Sequence, residues 1–128
     1  MFSCIRNRGM ILIVDDEQAI CNLLTRFLKR EGYDPEIAKL GYDAITIFKD
    51  KNPSLFFLDM KLPDIDGLEV LKKMKEINKG IPVIMISAYR DSERVVSAFR
   101  LGACDYIFKP FDINYLKVTM KSLLGNRK

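Results

Sequence analysis

The chain has 128 residues, 48% of them hydrophobic and 30% charged, which is the length and composition of a water-soluble globular protein with one core. Its net charge of +4 comes from basic residues scattered among acids without aromatic interleaving, which argues against direct nucleic-acid binding; no apolar run approaches the ~18 residues of a membrane span. There is no histidine, which excludes Ser-His-Asp triads, histidine metal ligands and an internal phosphohistidine, so any histidine chemistry has to come from a partner.

Met1 to Gly9 carries Arg6 and Arg8 but lacks the apolar stretch of a secretory signal, so residues 1–9 read as an N-terminal extension of a cytoplasmic chain. Cys4, Cys21 and Cys104 are odd in number and show no C-x-x-C spacing, which predicts reduced thiols. The first strand is predicted at Met10 to Val14 (MILIV), an unbroken apolar run suited to a strand covered on both faces of a parallel sheet. From Glu17 onward Ile20, Leu23, Leu24, Phe27 and Leu28 recur at the spacing of one helical face, and Gly32 stops the helix. Tyr33 to Ala38 is a short strand whose Pro35 and alternating polarity favour a sheet edge. After Gly41 the second helix uses Ala44, Ile45, Ile47 and Phe48, and Leu55 to Leu58 (LFFL) forms the third strand. The third helix uses Leu68, Leu71, Met74 and Ile77, and Val83 to Ile86 (VIMI) is the fourth strand. Val95, Val96 and Phe99 mark a fourth helix before Gly102, and Tyr106 to Phe108 a fifth strand. The last helix starts beside Asp112, a good N-cap, with Ile113, Leu116, Met120, Leu123 and Leu124 on one face. Met74, Met85 and Met120 fall at packing positions, and Cys104 reads as a small buried hydrophobe.

Strict alternation of strand and helix predicts an α/β fold, (βα)5, with a doubly wound parallel five-stranded sheet. An edge second strand fits the order 2-1-3-4-5. One domain over residues 10–124 is expected, followed by a tail at 125–128, with no repeat, low-complexity segment or linker.

In such a sheet the ligand site lies outside the carboxyl ends of the strands. Strand one ends in Asp15-Asp16-Glu17, strand three in Asp59, strand four in Ser87 and strand five in Lys109-Pro110. Taken singly, each has a bland explanation: Asp16 as a helix cap, Asp59 as a turn former, Ser87 as a loop hydroxyl, Lys109 as a solvated charge. Together they do not, because three carboxylates at ~4 Å would repel by roughly 4 kcal/mol per pair at an effective dielectric near 20. A divalent cation removes the conflict, and an oxygen-only set with few protein donors suits Mg2+. With Lys109 as a second positive charge, the pocket suits a phosphoryl group: Asp59 attacks in line and Ser87 donates a hydrogen bond.

Four segments carry a specific resemblance: ILIVDDE at Ile11 to Glu17, LDMKLPDIDGLEVL at Leu58 to Leu71, Ser87-Ala88, and YIFKPF at Tyr106 to Phe111. Together they resemble the receiver domain of two-component response regulators, over residues 10 to 124. The resemblance implies a flavodoxin-like sheet with Asp59 as phosphoacceptor, Asp16 as a direct Mg2+ ligand, Asp15 as a ligand mainly through water and the Lys61 backbone carbonyl as a further ligand. It implies that Ser87 and Lys109 contact the phosphoryl group and that the Lys109-Pro110 bond is cis. Ser87 and Tyr106 would act as the switch, altering the face built from helix four, strand five and helix five. Lys61 and Tyr89 would line the pocket mouth and tune hydrolysis.

The partners so implied are a histidine kinase or histidine phosphotransfer protein as donor, and a downstream effector docking on the switched face. Asp59-Met60-Lys61 and Lys109 to Ile113 are similar to single-domain, chemotaxis-receiver-like relay proteins; the alternative is the receiver half of a longer DNA-binding transcription regulator. An enzyme acting on an independent substrate is disfavoured, since aspartate-nucleophile phosphatases want a second acid two residues after the nucleophile, where this chain has Lys61. Only self-catalysed phosphotransfer and autodephosphorylation are expected. A phosphorylation-independent binding module would be expected to lack the acidic pair, the acceptor or the lysine, and all are present.

Overall fold

The computed structural model describes residues 9–124, in which strands and helices alternate: β1 (Met10–Val14), α1 (Gln18–Arg30), β2 (Asp34–Ala38), α2 (Gly41–Lys51), β3 (Leu55–Leu58), α3 (Gly67–Ile77), β4 (Val83–Ser87), α4 (Ser92–Arg100), β5 (Asp105–Phe108) and α5 (Ile113–Leu124). Cys4, the first eight residues of the expected extension and the tail at 125–128 lie outside the described residues. All strands pair in parallel in the order β2-β1-β3-β4-β5, as the apolar strand runs require. β2 is an edge strand, which tolerates Pro35 opposite Ile11. No described helix is long and apolar enough to cross a membrane.

The continuous apolar strands read as they do because alternate residues serve two cores. Leu12, Val14, Phe56, Leu58, Val83 and Met85 face one side, where Ala44 and Phe48 of α2, Val70, Leu71 and Met74 of α3, and Ala98 of α4 cover them. Ile11, Ile13, Leu55, Phe57, Ile84 and Ile86 face the other, under Cys21, Leu24, Phe27 and Leu28 of α1 and Leu116 and Met120 of α5. Removing a side chain such as Phe56 or Phe57 from these cores would cost roughly 3–5 kcal/mol.

Several expectations of burial need correction. Leu23 of α1 and Ile77 of α3 are exposed, while Cys21 and Val70 take core positions. In α4 the inward stripe runs through Val95 and Ala98, leaving Val96 46% and Phe99 45% exposed. A helical period fits either pair, 95/98 or 96/99, and only packing against the sheet decides between them. Cys104 is exposed rather than buried, because it sits in the turn before β5, where its N–H donates to the Val83 carbonyl (2.8 Å) but its side chain has no sheet face to join.

Candidate functional site

Parallel pairing aligns the carboxyl ends of the strands, and backbone bonds lock their register there. The Asp15 N–H donates to the Ala38 carbonyl (3.1 Å), the Asp59 N–H to Val14 (2.9 Å) and the Lys109 N–H to Ser87 (2.9 Å). Side chains from four strand ends thereby share one depression. Asp15, Asp59 and Ser87 are buried, unusual for two carboxylates, whereas Asp16 and Lys61 are exposed at the mouth. Carboxylate oxygens of Asp15, Asp16 and Asp59 lie within 4.8 Å of one another. This all-oxygen set suits a hard divalent cation such as Mg2+, and it contains neither the imidazoles nor the thiolates that softer ions prefer.

Lys109 enters from the loop after β5, and the bond to Pro110 is cis. Its Nζ lies 2.9 Å from Asp15 Oδ2, 3.0 Å from Glu17 Oε1 and 3.4 Å from Asp59 Oδ2. Burial works against the Lys109 charge, but the hydrogen bonds to Asp15 and Glu17 and the negative charge of Asp59 outweigh it and hold the ammonium above the ordinary lysine range. Burial, followed by the Asp15 charge, pushes the Asp59 carboxyl up from 3.8 to about 6, against the pull of Lys109 and of the Lys61 N–H, which donates to Asp59 Oδ1 at 3.4 Å. Asp59 is therefore a carboxylate at neutral pH that takes up its proton as pH falls through about 6, well before an ordinary aspartate would.

Ser87 Oγ accepts from the Tyr89 N–H (3.2 Å), and the Tyr106 hydroxyl donates to the Tyr89 carbonyl (3.0 Å). Tyr106 is thus turned inward in this structure, with its ring against Phe108. The loop between β3 and α3 is pinned twice in its second half, next to α3. Asp64 accepts from the Gly41 and Tyr42 N–H groups at the start of α2 (2.8 and 3.0 Å), and Asp66, which caps α3, pairs with Arg94 of α4.

Every site residue inferred from sequence lies on this rim or in the pocket or, in the case of Tyr106, against its wall. Two participants were missed: Glu17, read as one of a run of acids and given no role, and the Arg94–Asp66 pair. Neither has a local signal, since the partners stand 92 and 28 residues apart.

Gly67 sets how tightly α3 approaches the strand end. A Cβ there would lie 2.6 Å from the Met60 carbonyl oxygen and closer still to that of Asp59, both main-chain atoms that cannot rotate away. Gly67→Ala is expected to cost about 2–3 kcal/mol in urea unfolding, and because the clash falls on Asp59 itself, to weaken cation binding as well. An unchanged unfolding midpoint would contradict this packing.

A family model described as the response regulator receiver domain matches residues 11–121. The chain is 40% identical over 114 residues to Sporulation initiation phosphotransferase F of Bacillus subtilis, covering 89% of this chain and 92% of that protein. It is 36% identical to Regulatory protein AtoC of Escherichia coli over 89% of its own length but only 25% of that protein, so it spans a small part of some of the curated relatives it matches. Among solved structures it is similar to a CheY-like response regulator receiver domain protein from Methanospirillum hungatei, with a TM-score of 0.87 at 35% identity, covering 90% of this chain and 92% of that one.

Proposed function

The chain belongs to the response regulator receiver domain family, and from that premise we propose that it accepts a phosphoryl group on Asp59 from the phosphohistidine of a histidine kinase or histidine phosphotransfer protein. The observation that carries this reading is a buried carboxylate at a strand end that faces two further acids and an ammonium. In the transfer an Asp59 oxygen bonds to phosphorus while the phosphorus–nitrogen bond to the donor imidazole breaks, and the imidazole nitrogen regains a proton from solvent. Asp15, Asp16, Asp59 and the Lys61 carbonyl would hold Mg2+, which would neutralise charge on the phosphoryl oxygens. Lys109 supplies a fixed positive charge beside Asp15 and Asp59, and the Ser87 hydroxyl turns from the Tyr89 N–H to a phosphoryl oxygen.

That turn is the proposed link to output. Ser87 and Tyr106 both bond to the Tyr89 backbone, so drawing Ser87 inward favours one placement of Tyr89 and of α4 over another. The face of α4, β5 and α5 carries exposed Val96, Phe99, Tyr115 and Val118, apolar surface for a downstream effector. A cytoplasmic signalling role follows, with self-catalysed phosphotransfer and autodephosphorylation in place of turnover on an independent substrate. The likeness to a sporulation initiation phosphotransferase supports a relay setting; the alternative is the receiver half of a longer DNA-binding transcription regulator.

The test is to incubate the protein with a small phosphodonor with and without Mg2+ and to map the adduct. A single base-labile, Mg2+-dependent phosphoryl group on Asp59 is expected; labelling elsewhere, or equal labelling without the ion, would defeat the reading. Proton and cation compete for Asp59, so Mg2+ affinity is expected to fall as pH drops through about 6. A calorimetric affinity that stays level between pH 7.5 and about 5 would contradict the assigned ligand.

A further inference from the structure

Lys109 has three N–H donors and meets three carboxylates, but one of those acids is unlike the others. Asp15 and Asp59 belong to the pocket. Glu17 stands outside it, at the N-cap of α1 with extended backbone, and its side chain makes no capping bond. Its N–H is engaged by Asp15 Oδ1 (2.9 Å), and its carboxylate turns to Lys109 Nζ, 3.0 Å away. The Lys109–Glu17 contact is shorter than the 3.4 Å contact to Asp59, the group Lys109 is to serve.

Resting on the phosphoryl-acceptor reading, we propose that Glu17 is a positioning residue: a displaceable ligand that holds the Lys109 ammonium toward the pocket rim and limits how much of its charge reaches a phosphoryl group on Asp59. The exposure of the partners decides which contact yields. The Asp15 side chain is 4% exposed and would be left desolvated without its ammonium, whereas Glu17, at 55%, regains water when released. An arriving phosphoryl oxygen therefore takes the Lys109 donor held by Glu17, and breaking that pair is part of the cost of phosphoryl binding. A purely surface role would instead make Glu17 act through its long-range negative field, which depends on charge and not on reach.

Two substitutions separate these. Glu17→Gln removes the charge. Glu17→Asp keeps it but shortens the side chain by a methylene, and Asp at an N-cap turns back to bond its own helix. The probe is beryllofluoride, a phosphoryl analogue, titrated into the Mg2+-loaded protein, together with the Lys109 side-chain Nζ and Cε resonances before the analogue is added. Both variants are expected to bind the analogue about threefold to fivefold more tightly than wild type, the scale of one exposed ion pair. Both should shift the Lys109 resonances, with thermal midpoints at or above that of wild type.

Affinity gained in Glu17→Gln but not in Glu17→Asp would assign the effect to the field and overturn the proposal. So would unchanged affinity in both, or Lys109 resonances that do not move. A wild-type protein that fails to bind beryllofluoride at all would instead sink the phosphoryl-acceptor reading and this inference with it.

Discussion

Asp59→Asn is expected to yield a protein that no phosphodonor labels and that is nevertheless more stable than wild type in the absence of divalent cations. The loss of labelling is complete because a carboxamide cannot form the acyl phosphate. The gain follows from the raised carboxyl. With its pKa at about 6 in place of 3.8, Asp59 binds its proton more tightly in the folded chain, so the stability it contributes is full at low pH and is lost as pH rises through that window. At pH 7 the folded protein carries the whole penalty of a buried carboxylate beside Asp15. On its own the shift would correspond to about 3 kcal/mol, and solvent at the pocket mouth brings this to about 1–2 kcal/mol, or roughly 2–8 °C in midpoint. Saturating Mg2+ should shrink or reverse the difference, since the ion stabilises the wild-type pocket more than the variant. Urea unfolding at pH 7 with and without Mg2+ is the check; a variant less stable than wild type without the ion would contradict the electrostatic account.

The second large effect is of opposite sign. Lys109→Ala leaves Asp15 and Asp59 buried without their ammonium, and removing one partner of a buried pair costs about 3–5 kcal/mol; with Lys109 12% exposed, about 2–4 kcal/mol is expected here. The Asp59 carboxyl should rise further above 6, because Lys109 is the strongest influence now lowering it. The Asp59 share of the deficit should therefore fade near pH 5, where Asp59 is protonated, so the deficit should be smaller there than at pH 8 while the loss at Asp15 persists. Mg2+ should restore more stability to this variant than to wild type. Labelling by a small phosphodonor should slow by about a hundredfold, the cost of losing one fixed positive donor to the transferring group. Unfolding curves at pH 5 and pH 8 that show the same deficit would mean that the lysine is not held by these acids.

These two variants also mark where the sequence was legible. MILIV and LFFL could be read as buried parallel strands because a strand packed on both faces leaves no polar position, and the residues ending each strand follow from topology alone. The cis bond before Pro110 agrees with what the family resemblance implied. What stayed hidden depends on packing choices with no local signature. The stripe of α4 could have faced inward through Val96 and Phe99, and it does not, because Ala98 is the residue that packs against the sheet. Cys104 has the composition of a core residue but stands in a turn. Glu17 looked like one more acid in a run, and only the fold brings it to Lys109.

Titration of the native protein with Mg2+ by calorimetry, alongside Asp16→Asn, bears most directly on the idea that separate strand ends gather one cation-binding cup. Asp16 is exposed and remote from both cores, so its substitution leaves the fold intact while removing one of the three converging oxygen ligands. One Mg2+ per chain, bound about tenfold or more weakly after Asp16→Asn, is the predicted result. No detectable binding to the native chain, or an affinity indifferent to that substitution, would contradict it.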